Sequence, residues 1–476
     1  MRRAVAQRRY CAAWPGAGMA AGMAFGRVSF PQDAGWIMQT LYRATLVAVV
    51  WLAAASCLSA VLRADEPPQT IPQYVGRPDP AFSWHVQVEQ PAGPGRQWEL
   101  ELVSQEWHGI VWKHVLVVFE PAEVRFPNHM ILFITGGSTG SRPRAENLLL
   151  GRTLATKAQA RVAMLHQVPN QPLLGDRKED DLITETWLRY LQTGDITWVL
   201  QLPMVTSAVR AMDALQGFAR QQNLPPVEGF VVTGASKRGW TTWLSAVADR
   251  RVVAIAPMVI DMLNLRPQMK YQIETWGRYS EQIHDYTSKG LVHDKPLSER
   301  EAELLRLVDP YTYRKQLTLP KLLVHGTNDP YWVVDAAKLY WDGLSGPKYL
   351  LEVPNGDHGL KGGQELAIST IAAFFRHVVG AKPWPQLHWN HGDEPDALVL
   401  TVRSSILPQD ARLWVAHSNT KDFRQSRWES QPMEKTVAGF SARVQKPKEG
   451  HVALFGQLHF DMEGLGYALS TLVRRE

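Results

Sequence analysis

The stretch "VEGFVVTGASKRGW", residues 227–240, reads as a buried strand, a tight glycine turn with Ser236 at its tip, and the start of a helix. Gly234-Ala235-Ser236 is the first half of G-x-S-x-G, the strand-to-helix elbow that raises a serine above a parallel sheet. The second glycine comes one residue late, at Gly239, after Lys237 and Arg238. At such an elbow the residues two before and two after the serine crowd each other. A glycine at one of these positions relieves the crowding, and Gly234 is that glycine. Arg238 must then turn its side chain away, while Gly239 lets the first helical turn approach the sheet. The plain alternative is a strand–turn–helix joint in which Ser236 serves as an N-cap.

Outward from this stretch, short apolar runs alternate with amphipathic segments. Runs at 130–137, 161–166, 229–234, 252–257, 321–326 and 348–354 have strand length and almost no polar alternation. That pattern fits a parallel sheet buried on both faces. "WELELVSQ" and "HVLVVFEP" precede them as hairpin strands, and helices are expected over 203–222 and 240–247. The fold class is therefore α/β, a doubly wound and mostly parallel sheet over residues 65–382. Residues 262–318 break the alternation with a polar, aromatic-rich helical segment, read as a lid inserted over the strand ends. "AKPWPQ" (381–386) reads as a proline linker. The alternating runs over 386–476 predict a small β-sandwich.

A serine hydroxyl needs a base in hydrogen-bond reach and an acid to orient that base. In α/β hydrolases these follow in the order Ser, acid, His, each just past a strand. Here "KLLVHG" is followed by "TNDPYW", which places Asp329, and "KYLLEVP" by "NGDHGL", which places His358. Asp335 is the rival acid, and Asp357 is read as a loop residue. Two backbone N–H groups should receive an oxyanion: that of Lys237, and one from "FITGGSTG" (133–140), either Gly137 or Ser138. The lid aromatics Tyr271, Trp276 and Tyr279, with Tyr286, are candidates for lining a substrate pocket or for the lid's own core.

"TGASKRGW", "LPMVTSAVRAMDAL", "QMKYQIETWGRYS" and "HGTNDPYWVVDAAKLYWDGL…YLLEVPNGDHGL" together resemble the PhoPQ-activated pathogenicity-related protein family, over most of residues 75–440. The resemblance implies an α/β-hydrolase-like fold and export. The elbow, with a basic residue after the serine, is also similar to that of glucuronoyl esterases. By that analogy the Lys237 side chain assists at the oxyanion.

The chain has 476 residues and a net charge of +5. Residues 1–64 hold seven arginines and one acid, so the remainder is close to neutral and the electrostatic argument for nucleic acid falls away. Residues 44–62 are uncharged and apolar after Arg43, and small Ala64 follows, which reads as a signal peptide cleaved after Ala64. A lipid anchor on Cys57 and an uncleaved membrane anchor are the alternatives, and residues 1–37 read as an over-extended start. Both cysteines, Cys11 and Cys57, lie in this leader, so the mature chain has no disulfide framework and no thiol nucleophile. His388, His391 and Asp393 have metal-like spacing but lack further ligands, so no metal is assigned. Arg142 and Arg144 are read as solvated.

The resulting expectation is an exported serine hydrolase that needs no cofactor. Its partner is a small-molecule, glycan-ester or peptide substrate, with a membrane met only through the leader. A peptidase, or a silent surface-binding protein, is the alternative.

Overall fold

The apolar runs become strands of one nine-stranded mixed sheet. They are β1 (Ser83–Ala92), β2 (Gly95–Trp107), β3 (Ile110–Glu120), β4 (His129–Ile134), β5 (Arg161–Leu165), β6 (Gly229–Ala235), β7 (Val252–Met258), β8 (Lys321–Gly326) and β9 (Lys348–Val353). This computed structural model describes residues 70–476; the leader, with Ala64 and Cys57, lies outside the described residues. Pro67–Glu476 is one compact unit. Among the described residues no helix is long and apolar enough to cross a membrane.

The spatial order is β1-β2-β3-β5-β4-β6-β7-β8-β9. β1, β2 and β3 run antiparallel, β3 meets β5 antiparallel, and β5-β4-β6-β7-β8-β9 are all parallel. This is the doubly wound α/β-hydrolase sheet, with the chain stepping to β5 on one side of β4 and returning to β6 on the other. Connections that diverge in this way open a crevice at the carboxyl ends of β4 and β6, where such sheets place their ligands.

Strand residues alternate between two cores. Met130, Leu132, Ile134, Phe230 and Val232 face α3 (Glu179–Thr193), α4 (Gln201–Gln221) and α5 (Lys237–Ala248). Ile131, Phe133, Val231 and Val324 face α2 (Ala145–Ala158) and α9 (Gln364–Gly380), while a short α1 (Ile71–Val75) joins the first core. Three acids, Glu179, Asp180 and Asp181, fill the first turn of α3, where they suit the helix dipole, and Gly194 at φ +77° ends it. Between β7 and β8 the chain leaves the sheet for α6 (Leu265–Trp276), α7 (His284–Ser288) and α8 (Glu299–Val308).

The C-terminal region is antiparallel. One sheet runs β10 (Leu387–Asp393), β11 (Ala397–Ser404), β15 (Gly439–Gln445), β14 (Glu434–Thr436). The other runs β13 (Glu429–Pro432), β12 (Asp410–Ser418), β16 (His451–Met462), β17 (Leu465–Ser470), with β18 (Arg474–Arg475) against β16. They pack face to face closely enough that a Cβ on Gly456 would lie 3.1 Å from a Leu400 methyl. Most of their apolar side chains continue the second core, since Leu398, Leu413, Leu458 and Tyr467 belong with Phe374 and Leu351, while Phe423, Trp428 and Phe455 form a small core of their own.

β9 would otherwise be an open edge with unpaired backbone groups. The Glu352 N–H donates to Ser470 Oγ at 3.0 Å and the Glu352 carbonyl accepts from Gln457 at 2.8 Å, so the C-terminal sheet covers it. The proline segment is anchored as well. Trp384 is 5% exposed, stacks on Tyr467 at 4.7 Å and lies over His377 at 5.2 Å. Truncating so large a buried ring costs about 3–5 kcal/mol. Trp384→Ala should therefore lower the urea midpoint of the whole chain in one transition. A C-terminal transition that separates from an unchanged main one would show that the shared core is not cooperative.

Candidate active site

Ser236 joins β6 to α5 with φ 57° and ψ −126°, a conformation that a non-glycine residue holds only when its surroundings force it. The forcing contacts are visible. The Ser236 N–H donates to the Met258 carbonyl at 2.9 Å, and the Trp240 N–H donates to the Ser236 carbonyl at 3.0 Å. A Cβ on Gly234 would fall 2.8 Å from the Arg238 carbonyl oxygen, which is the crowding expected two residues either side of the serine. A Cβ on Gly239 would fall 2.7 Å from Ile260 and 3.0 Å from Met258 O, so this glycine sets how close α5 lies to β7. Ser236 stands at the N-cap position of α5, yet its hydroxyl makes no cap bond.

That hydroxyl instead faces His358. Ser236 Oγ lies 2.8 Å from His358 Nε2, and His358 Nδ1 lies 2.8 Å from Asp329 Oδ2. A carboxylate only accepts, so the proton belongs on Nδ1, which leaves Nε2 free to accept from the serine. Asp329 is buried, and its other oxygen accepts the Tyr331 N–H at 2.9 Å. The Tyr331 ring packs 4.3 Å from the imidazole. The rival Asp335 is elsewhere, accepting from Tyr271 and Lys338. Asp357 accepts the Gly359 and Lys361 N–H groups in its own loop.

Both basic residues after the serine are paired with α3. Lys237 Nζ sits 2.8 Å from Asp180 and 3.6 Å from Glu179. Arg238 grips Glu179 with two bonds of 2.8 Å and donates to the Val168 carbonyl. Burial alone would raise the Glu179 pKa; Arg238 and Lys237 outweigh it and bring the carboxyl down to about 2. The Arg238 guanidinium lies against Gly136, where a Cβ would be 2.6 Å from it.

A cavity of about 850 Å³ opens at Ser236 and His358 and runs under the lid. Lys237 and Tyr271 line it, whereas Gly137, Ser138, Trp276 and Tyr279 do not. Gly137 has φ +130° and packs near Gln167 and Ser141. Trp276 lies under Arg424 at 4.0 Å, and Tyr279 donates to Asp294. Tyr286 also lines the cavity and donates to Asp180 at 2.9 Å. Arg142 and Arg144 are exposed and pair with Glu99 and Glu146. Asp393 pairs with Lys446 and Arg474, and no cluster of three metal-ligating side chains occurs among the described residues.

A family model for the PhoPQ-activated pathogenicity-related proteins matches residues 71–424. The chain belongs to that family. A curated family relative, autocrine proliferation repressor protein A of Dictyostelium discoideum, is 31% identical over 419 residues, 80% of this chain and 84% of that one. Among solved structures, this family member is similar to an acetyl xylan esterase from Paenibacillus sp. R4, with a TM-score of 0.45 and 12% identity over 65% of this chain and 98% of that one. It is also similar to an S-formylglutathione hydrolase from Agrobacterium tumefaciens, with a TM-score of 0.42 and 13% identity over 62% and 99%.

The sequence reading missed a buried cluster behind Asp329 in this PhoPQ-related chain. His325 Nδ1 lies 3.7 Å from Glu352 and 3.9 Å from Asp261, around a void of about 10 Å³ that Asp329 also borders. That is room for about one water. Burial alone would lower the His325 pKa; the facing Asp261 and Glu352 carboxylates overcome it and lift it to about 9. Burial raises Asp261 to about 6. The signal was present as three ionisable residues inside or just past near-continuous apolar runs.

A folded-state pKa above the ordinary histidine value of 6.5 stabilises fully below pH 6.5 and is lost as pH rises towards about 9. Asp261, raised to about 6, completes most of its titration by the lower edge of that window. Thermal unfolding of the wild type should therefore weaken between pH 6.5 and 9, and His325→Gln should flatten that slope. Parallel melting curves for the two proteins across this window would rule out a charged His325.

Proposed function

We propose that the protein is an exported serine hydrolase that cleaves an ester through an acyl-enzyme. The reading rests chiefly on one observation. A strained serine, a histidine and a buried aspartate form an unbroken chain of 2.8 Å contacts, and the serine and histidine line a cavity.

His358 Nε2 takes the Ser236 proton as Oγ bonds to the ester carbonyl carbon. Asp329 holds the imidazole in the required tautomer and stabilises the imidazolium that results. The carbonyl oxygen becomes an oxyanion. The Lys237 N–H, the first amide of α5, has no acceptor within the helix and is a donor to it. Gly137 and Ser138, the expected source of a second donor, do not line the cavity, so the Lys237 N–H is the one donor assigned. The imidazolium returns its proton to the departing alkoxide, which leaves as the alcohol. Water, deprotonated by the same histidine, then attacks the acyl carbon, and the acid is released with Ser236 regenerated. Asp180 keeps the Lys237 ammonium paired, so the side chain steadies the elbow while the backbone serves the oxyanion. Export rests on the uncharged run at 44–62 and the small residue Ala64.

A fluorophosphonate probe should label the purified mature protein, and Ser236→Ala should abolish labelling. Asp329→Asn should lower kcat by about 10⁴-fold at neutral pH through the wrong tautomer. Undiminished labelling of the Ser236→Ala protein would remove the assignment. An aminoacyl amide cleaved faster than any aryl ester would move it to a peptidase.

A further inference from the structure

The cavity beyond Ser236 carries a statement about the substrate. Trp187, Trp240 and Ile260 line it from the body, and Met262, Met269, Ile273 and Leu291 from the lid segment. Its charged groups are already engaged. Lys237 is on Asp180, Lys270 on Glu274 at 3.5 Å, Arg266 on the carbonyls of His293 and Lys295, and Asp294 on the Tyr279 hydroxyl. A sugar or a peptide needs convergent donors and acceptors, because each buried polar group left unpaired is costly. The apolar wall offers few. At about 850 Å³ the space lies in the upper part of the range for small-molecule sites and far exceeds an acetyl group.

We propose that the ester cleaved at Ser236 carries a bulky, uncharged hydrocarbon group, of fatty-chain size, that fills this cavity beneath the lid. The proposal rests on the serine-hydrolase reading, and its test separates the two. The hydrocarbon enters as the acyl chain or as the alcohol, so p-nitrophenyl acetate is compared with p-nitrophenyl octanoate, and ethyl acetate with octyl acetate. Each buried methylene strengthens binding, so kcat/KM should rise at least about tenfold from the short to the long member of one pair. Ile273→Trp, and separately Leu291→Trp, should lower that long-to-short ratio by about tenfold. Equal kcat/KM within both pairs overturns the hydrocarbon assignment and leaves the hydrolase. Fluorophosphonate labelling without turnover of any of these esters does the same. Absence of both labelling and turnover overturns both readings.

A second inference comes from the loops that carry Asp329 and His358. Asn328 donates its amide to the carbonyls of Arg424 and Ser426 at 3.1 and 2.8 Å. Asn355, held at φ +59°, exchanges two bonds with the Trp428 backbone, at 3.0 Å to its carbonyl and 2.8 Å from its N–H. The same two loops are laced together. The Asn328 N–H donates to Gly356 O, and the Asn355 N–H to Thr327 Oγ1. A Cβ on Gly326 would lie 2.5 Å from Gly356 O. Trp428 is buried against Phe455 at 5.3 Å, so segment 424–428 is itself fixed in the C-terminal core.

We infer that segment 424–428 is a positioning element for the reaction, with Asn328 and Asn355 as the positioning residues through which it sets the Asp329–His358 distance. This inference also rests on the hydrolase reading. A displacement of about 1 Å at reacting groups costs about 10²-fold in rate. Asn355→Ala should therefore lower kcat by about 10²-fold with KM within about threefold of wild type, and slow fluorophosphonate labelling in proportion. Asn328→Ala is the second variant, should the first fail to fold. Thermal unfolding of each variant is measured beside its kinetics. A folded Asn328→Ala or Asn355→Ala protein with wild-type kcat overturns the inference. So does a loss confined to KM. Wild-type Ser236 labelling with slow ester turnover would place the defect after acylation, and it too overturns a role in setting the base.

Discussion

A backbone held at φ 57° and ψ −126° at Ser236 is the constraint on which the site depends. An L-residue does not rest there unaided, and the cost of such a conformation is about 1–3 kcal/mol. The neighbouring strand, through Met258 O, fixes the turn from one side, and the first turn of α5 fixes it from the other. Gly234 removes the clash with Arg238 O, and Gly239 lets the helix begin close enough to β7 to enforce the turn. Without those two absent side chains the hydroxyl would not reach His358.

The late glycine of the elbow has a physical counterpart elsewhere in the chain. With arginine two residues after the serine, a large cation must leave the turn and find a charge. Gly136 supplies the space, since any side chain there would strike the guanidinium. Glu179 supplies the charge through a double contact, and Asp180 does the same for Lys237. Paired charges on this scale cost desolvation that the geometry must offset, and two-point arginine–carboxylate contacts with further donors are the arrangement that does so. The β4 loop, the start of α3 and the elbow are thereby tied into one unit. The basic "SKR" that makes the motif irregular is what joins them.

Ser236, Asp329 and His358 were legible because each signal is local: a strand, a chemistry-bearing residue just past its end, and a fixed chain order. The parallel strands were legible for the same reason, since runs such as "GFVVTG" carry their burial in their composition. Asp180 and Glu179 were not, because nothing near either residue marks a partner almost sixty positions away. The lid aromatics divided for an equally physical reason. Tyr271 and Tyr286 line the cavity while Trp276 packs beneath Arg424, and an aromatic residue has the same signature in either place. Residues 381–386 had the composition of a linker, yet their tryptophan is stacked into the core, because proline fixes the backbone without deciding what its neighbours bury.

The C-terminal sheets change what counts as the support of the site. They were readable as a sandwich from alternation alone, but alternation says nothing about which outer surface is covered. Here β17 shields the edge strand β9, whose following loop bears His358, and segment 424–428 bonds to the loops bearing Asp329 and His358. Arg424 extends the contact to the lid by stacking on Trp276 and pairing with Glu281 at 3.0 Å, and Arg475 reaches the Tyr271 hydroxyl. A layer that touches the acid loop, the base loop and the lid together cannot shift without moving all three. The geometry at Ser236 is therefore a property of the whole 67–476 unit, and the hydrolase-like sheet alone does not contain it.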